Sequence, residues 1–316
     1  MKLPVFKALG ASLSYIGGHF FTLIKILWLP ALLLTGVMAY VMPPMMQAQL
    51  QMAGLEASGA DPSEVFAMLG PVIKGTGLIF VASLLLYPMM IAGVLKHVIR
   101  GEASGLPLYF QYGGDELRVL LAYILIFIIA IVAVIAGGLG FGGLSAVVGV
   151  ALGSVSPEAA GIAIFLLALV AIIVSIWFTL RLSLVFPAAI GARSVGIAET
   201  WQATKGSTIG LFFFWLIWLI FLAVLMTPVS LLMVGGFFSV FSEFISAAIA
   251  DPSAADQLSE EFERRILEMQ ANMWDRSNPG FWLVMLGSWL SLIVQYGLTS
   301  VAGGVAWRYL SGEERG

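Results

Sequence analysis

The sequence predicts an all-α fold, a polytopic membrane helix bundle of about six transmembrane helices with interfacial amphipathic helices, built as one integral membrane domain over 1–316. Three observations predict it. Of 316 residues, 60% are hydrophobic and only 10% charged, against roughly 45–50% and about 25% in an ordinary soluble chain. The apolar residues gather into nearly uncharged runs at least as long as the ~20 helical residues that cross a bilayer. The scarce charges fall between these runs and sort by sign. A net charge of −3 with no Arg- or Lys-rich stripe counts against a nucleic-acid partner.

Taken in order, the chain opens with Val5, Phe6, Leu9, Leu13 and Ile16 at helical spacing. That predicts a short interfacial helix ahead of a retained span, not a cleaved signal. Six spans follow, about Phe20–Met42, Thr76–His97, Arg118–Gly138, Gly161–Phe186, Ile209–Val234 and Phe281–Trp307. In the first outer loop, 43–75, the Asp61-Pro62-Ser63-Glu64 run combines an N-cap, a proline at the first helical position and a glutamate placed to reach back. Pro44 to Leu55 reads as an amphipathic stretch in that loop. The run Gly137-Gly138-Leu139-Gly140-Phe141-Gly142-Gly143, with Gly149 and Gly153 beyond it, lacks the Lys-Ser/Thr of a phosphate loop. Close helix packing or a re-entrant bend is the expectation there. Ser156-Pro157-Glu158 and Asp251-Pro252-Ser253 repeat the cap and proline. In the second outer loop, 238–279, Leu258, Phe262, Ile266, Met269 and Met273 recur at helical spacing among acidic residues. They predict an amphipathic helix over 253–274 that lies on the outer leaflet, covers the bundle or binds a partner. Segments 98–117 and 187–208 are the expected cytoplasmic interfacial segments.

Lys2, Lys7, Lys96, Arg100, Arg118, Arg181, Arg193, Lys205, Arg308 and Arg315 fall on one side of this arrangement. Lys74, Arg264, Arg265 and Arg276 fall on the other. Because Lys and Arg accumulate on the cytoplasmic side, both termini are expected in the cytoplasm. Ser14–Ile24 and Ser207–Ile217 share Ser, Ile, Gly, Phe, Phe, Leu and Ile in register, which suggests an internal repeat. Duplicated halves occur in transporters and equally in scaffolds.

Arg181-Leu-Ser-Leu-Val-Phe-Pro-Ala-Ala-Ile190, then Gly196-Ile-Ala-Glu-Thr-Trp-Gln-Ala-Thr-Lys-Gly206 and an aromatic span, resembles a bacterial group of integral membrane proteins. This group comprises the membrane domain attached in some proteins to a glycerophosphoryl diester phosphodiesterase, and the YciC-type inner-membrane proteins. The resemblance covers about Arg181 to Leu216 and implies the bacterial inner membrane and a multi-pass architecture. It does not imply hydrolysis here. The phosphodiesterase barrel needs ~250 residues and histidines with clustered carboxylates, whereas this chain has two histidines and no soluble stretch of that length.

Physically, Arg181 sits just inside the end of its span, placed to snorkel to headgroups or to pair with a phosphate. Trp201 belongs at the interface, and Lys205 precedes a span whose first turn favours an anion. Together these residues predict a lipid-headgroup or anion site; the competing reading is topology anchoring by positive charge and an aromatic belt. Lys96 and Arg100 are candidates for anionic-lipid attraction. Lys25, Gln295 and Tyr296 are the intramembrane polar candidates, with Ser288, Ser291 and Thr227 also available to a central cavity. No catalytic constellation is evident. No metal site is expected, because His19 and His97 are far apart in sequence with no carboxylate at a ligand offset. No cofactor is expected. The reading is a non-catalytic inner-membrane protein that interacts with lipids, among them anionic phospholipid, or organises a membrane partner. The alternative is a transporter or flippase for a lipid or small amphiphile.

Overall fold

A computed structural model of the chain describes residues 2–57, 61–102, 112–153, 156–250 and 255–312. The described residues form helices α1 (Val5–Ala57), α2 (Pro62–Arg100), α3 (Gly114–Gly153), α4 (Pro157–Leu182), α5 (Val185–Gly191), α6 (Ile197–Ala203), α7 (Thr208–Ala250), α8 (Ala255–Met273) and α9 (Pro279–Ser311), with no strand among them. Six stretches within these helices, at Val5–Met52, Met68–Arg100, Gly114–Gly153, Pro157–Gly191, Thr208–Leu231 and Pro279–Ser311, are long and apolar enough to cross a membrane. The protein is an all-α, multi-pass membrane protein. The face holding Leu3, Leu310 and Arg100 is the basic face.

The centre of the bundle is α1, α2 and α9. Leu23, Ile26, Leu27 and Ala31 of α1 meet Met90, Val94 and Val98 of α2 and Ile293, Val301 and Val305 of α9. Leu23, Leu27 and Ala31, then Met90, Val94 and Val98, then Ile293, Val301 and Val305 fall at offsets of four or eight residues, which aligns each set on one helix face. Hydrocarbon tails are as apolar as leucine, so such helices associate through close packing of small residues. Gly304 shows the requirement: a Cβ there would lie 2.8 Å from Val98 Cγ1.

Three elements depart from the sequence expectation. The N-terminal helix does not lie apart at the interface. It is the first part of α1, broken from the rest by non-helical angles at His19 (φ −123°, ψ 18°). Leu3, Ala8 and Leu9 are buried against Leu211, Phe214 and Trp218 of α7 and Ala302, Ala306 and Leu310 of α9. Of the two repeat copies, Ser14–Ile24 thus crosses this break whereas Ser207–Ile217 opens α7. Second, the start of segment 187–208 is packed within the bundle. After a break at Ser183 and Leu184 the chain continues as α5, whose Val185, Pro187, Ala188, Ala189 and Ile190 are all buried; Val185, Ala189 and Ile190 pack against Ile91 and Leu95 of α2 and Val119 and Ala122 of α3. Pro187 falls in the first turn, where its missing N–H removes no intrahelical bond. Gly196 turns the chain into α6 at φ 85°, and a Cβ there would strike the Val185 carbonyl. Third, the Pro44 to Leu55 stretch is a continuation of α1, with Met45, Met46 and Ala48 buried.

The glycine run neither bends nor packs. α3 continues as helix to Gly153, and a Cβ at Gly137, Gly138, Gly140, Gly142, Gly143, Gly149 or Gly153 would meet nothing within 4 Å. The buried residues of α3 are Glu116, Val119 and Ala122, and those of α4 are Ala160 and Arg181. The α3–α4 hairpin therefore leaves the core above its first turns, so no third helix stands beside those glycines.

On the opposite face the capping signals hold. The Asp61 side chain accepts from Ser63 N at 2.9 Å, which holds its carboxyl below the usual carboxylate range, and Ser156 accepts from Ala159 N at 3.2 Å. The cap expected at Asp251-Pro252 lies outside the described residues. α8 covers the bundle: Phe262 packs on Phe241 and Phe244 of α7, and Arg265 pairs with Glu243 at 2.9 Å. Beyond α8, Arg276 resolves a defect in α1. Pro43 and Pro44 have no N–H to give to the carbonyls of Ala39 and Tyr40, four residues earlier. Arg276 Nη2 donates to those two carbonyls, at 3.1 and 3.3 Å.

Arg276→Ala is expected to lower stability by about 1 kcal/mol, the worth of a partly exposed hydrogen-bonded pair. In Pro43→Ala/Pro44→Ala, where α1 supplies its own donors, the same change should cost much less. Thermal unfolding of the four proteins in one detergent measures the difference.

Candidate functional site

Polar chemistry concentrates at the basic face. α2 ends at Gly101, whose left-handed φ of 67° stops the helix with Lys96 and Arg100 in its last turns. The first turn of α3 lies alongside. Lys96 Nζ reaches Glu116 Oε1 at 2.5 Å, and Glu116 also accepts from Gly113 N at 2.9 Å. Arg100 donates to both oxygens of Asp115, at 2.7 and 3.3 Å, and to the carbonyl of Ile190 in the last turn of α5. Arg118 joins Asp115 at 2.6 Å. Asp115 and Glu116 are consecutive and point apart, as helical geometry requires, so each finds its own cation. Lys96 and Arg100, expected at an anionic-lipid site, are instead neutralised within the protein.

Among the described residues the buried charged side chains are Glu116, 2% exposed, and Arg181, 6% exposed. Their situations are opposite. Glu116 has Lys96. Arg181, at the end of α4, has no carboxylate partner among the described residues, and its Nε has no hydrogen bond. Its guanidinium lies over two indoles, 4.4 Å from the Trp201 ring and 5.9 Å from that of Trp177. The two rings meet edge to face at 5.5 Å. α6 is held there by buried threonines. Thr204 Oγ1 donates to Thr200 O at 2.7 Å and lies 3.4 Å from Arg181 O. Lys205 follows Thr204 and is exposed. The structure thus joins Arg181 with Trp201, places Lys205 nearby, and separates Lys96 and Arg100 from them.

A second polar region lies deeper. Ser183, Trp215, Gln295, Tyr296, Thr299 and Ser300 line a cavity of about 200 Å³ with Ile91, Leu95, Phe186, Pro187 and Gly303. Trp215 Nε1 donates to Ser183 Oγ at 3.1 Å, and Tyr296 stacks on Tyr87 at 4.7 Å. Of the intramembrane candidates, Gln295 and Tyr296 belong to this cavity. Lys25 does not: it is exposed on the side of α1 away from buried Leu23, Ile26 and Leu27. Thr227 is exposed on α7 and bonds to Ala223 O at 2.8 Å.

One juxtaposition had no local signal. His19 and His97 meet edge to face at 5.2 Å, and Tyr15 stacks on His19 at 4.3 Å. His19 Nδ1 bonds to Tyr15 O at 3.1 Å beside the break in α1. Both ring nitrogens of His97 are closed from solvent. Among the described residues no three His, Cys, Asp or Glu side chains converge on a common point.

Fold and site together define a multi-pass α-helical membrane protein with a buried, unneutralised arginine at one face and an uncharged polar cavity within the bundle. Compared with protein-family models, with curated proteins and with solved structures, the chain matches none.

Glu116→Gln is expected to destabilise the protein by roughly 3 kcal/mol, because it strands Lys96 beside a neutral amide. This is the low end for a broken buried pair, since the Lys96 side chain keeps 17% exposure. Glu116→Leu combined with Lys96→Met should recover most of the loss. Chemical or thermal unfolding in detergent reads both.

Proposed function

We propose that the protein is a non-catalytic, lipid-interacting component of the bacterial inner membrane, with both termini in the cytoplasm, and that Arg181 is the centre of an anionic-headgroup site. We also propose its membership of the group of phosphodiesterase-associated and YciC-type membrane proteins. The observation that carries the lipid reading is the burial of Arg181 without a counter-charge. A desolvated ion normally costs several kcal/mol unless it is paired. Cation–π contact with two indoles returns about 0.5–2 kcal/mol each and leaves the guanidinium's hydrogen-bonding fork free. A phosphate is the group that fork fits bidentately. Lys205, exposed one residue after Thr204, adds a mobile positive charge at the same face. Excess Lys and Arg on that face supports its assignment to the cytoplasm.

Transport of a lipid or small amphiphile is a second reading, favoured by the cavity at Gln295. Against continuous passage, the cavity shares no residue with the cleft on the opposite face, which is lined by Tyr40, Gln47, Lys74 and Arg276. Between the two, α2 buries Leu86, Met89 and Met90. A fixed lipid site fits this closed section better.

Native mass spectrometry of protein extracted in mild detergent tests the reading. Wild type should retain phosphatidylglycerol over phosphatidylcholine, and Arg181→Ala/Lys205→Ala should lose about tenfold or more of that retention, as expected for charge-assisted hydrogen bonds. Arg181→Lys separates recognition from topology anchoring: it keeps the positive charge and removes the fork. If Arg181→Lys and the double alanine variant both retain phosphatidylglycerol as wild type does, the headgroup site is wrong.

A further inference from the structure

The cavity at Gln295 has features that the Arg181 site does not explain. Gln295 is the midpoint of α9 (Pro279–Ser311), so in a spanning helix it lies near the middle of the hydrocarbon. It is exposed there, and no partner holds its amide among the hydrogen bonds of the described residues. A polar group facing hydrocarbon without a partner costs several kcal/mol. Intramembrane polar side chains accordingly face a cavity or a binding site. Below Gln295, Tyr296, Thr299 and Ser300 continue the polar lining for about one and a half turns, and the Trp215–Ser183 hydrogen bond closes the opposite wall.

Every polar side chain in this lining is uncharged. Lys96, Arg100, Asp115 and Glu116 are occupied with one another at the basic face, and Arg181 is turned onto Trp201 and Trp177. Toward the basic face the cavity ends on Pro187 and Gly303, both buried, with the rest of α5 packed beneath them. At the level of its exposed residue, Gln295, the neighbouring spans offer no seal: α4 buries nothing between Ala160 and Arg181, and α3 nothing beyond Ala122. The route in is therefore sideways from the hydrocarbon, not up from water. The volume of about 200 Å³ equals roughly seven waters at ~30 Å³ each, and lies below the ~300–1,000 Å³ of a pocket for a whole drug-sized molecule. It suits a small headgroup whose chains stay outside.

We infer that this cavity binds the uncharged, oxygen-bearing head of a lipophilic molecule of the acylglycerol type, which enters laterally from the membrane. The site is separate from the anionic-headgroup site at Arg181 and does not depend on it. Hydroxyl and ester oxygens of such a head match the Gln295 amide and the Thr299 and Ser300 hydroxyls, which both give and accept hydrogen bonds, while the Tyr296 hydroxyl is engaged with Tyr87. A phosphate does not suit it. Carrying that charge into an uncharged, low-dielectric cavity carries a desolvation penalty with no cation to offset it.

The probe is a diacylglycerol with a photoreactive group near the ester, added to the full chain in nanodiscs, with labelled peptides mapped by mass spectrometry. Labelling is expected within 183–187 and 295–303, displaced by unlabelled monoacylglycerol and not by phosphatidylglycerol. Gln295→Leu/Thr299→Val should reduce it about tenfold, the worth of one to two lost hydrogen bonds. These side chains are exposed or half-buried, so unchanged thermal unfolding is expected and checks that the bundle is intact. Arg181→Ala should leave the labelling as it is. Three results overturn the inference: equal labelling of Gln295→Leu/Thr299→Val, equal displacement by phosphatidylglycerol, or a loss in Arg181→Ala as large as that in the cavity variant. Labelling of the lipid-facing α3–α4 surface alone, which means that water fills the cavity, also overturns it.

Discussion

The arrangement hangs on the Arg100 guanidinium. A helix end leaves carbonyls without intrahelical donors, and α5 ends beside Arg100. Arg100 donates to one of these, Ile190 O, while its other contacts hold Asp115 at the start of α3. Three elements are thereby fixed to one side chain. A cation at a helix C-terminus is also favoured by the helix dipole. With α5 held against α2 and α9, the chain on either side of it is committed: α4 ends with Arg181 in its last turn, and the chain turns through Gly196 into α6 to bring Trp201 over that guanidinium.

The same constraint explains the uneven packing. α1, α2 and α9 meet closely because α9 offers Gly297, Ser300, Ala302, Gly303, Gly304 and Ala306 as buried small residues, so backbones approach and side chains interlock. α3 has more glycines, but all except Gly114 lie from Gly137 onward, above the level at which Asp115, Glu116, Val119 and Ala122 tie the helix to its neighbours. Small residues permit close approach without causing it. What brings α3 to the bundle is its charged first turn, and when that turn has passed, the hairpin with α4 runs free of the core.

Features decided by neighbours in sequence were legible. The six spans followed from run length, Asp61 and Ser156 from their spacing to the following proline, and α8 from its four-residue apolar rhythm. Features decided by partners distant in sequence were not. Lys96 and Arg100 looked like free cations because Asp115 and Glu116 lie beyond the turn after α2, and nothing local says that α3 begins beside them. Val185 to Gly191 is a short apolar run, and periodicity alone does not distinguish a buried helix from an interfacial one at that length. His19 and His97 belong to different spans and meet only because α1 breaks at His19. Arg181 and Trp201 were found as residues, but the burial of Arg181 beneath the Trp201 ring was not, since it depends on α6 returning to the end of α4.

Depth orders the chemistry that remains. Placing a charged side chain at the middle of a bilayer costs about 2.5–3.5 kcal/mol on the insertion scale, and the cost falls toward the interface. The protein follows that gradient: paired ions and the indole-bound Arg181 near one end of the bundle, then Ser183 and Ser300, then Gln295 at the midpoint of α9. A membrane lipid follows it too, with phosphate outermost and ester oxygens below. The two sites would thus differ by charge for the same reason that they differ in depth. A phosphate has little to gain from leaving Arg181 for Gln295, because it would lose both water and cation. An uncharged head loses far less by descending, and Gln295, otherwise unpartnered in hydrocarbon, gains what the head supplies.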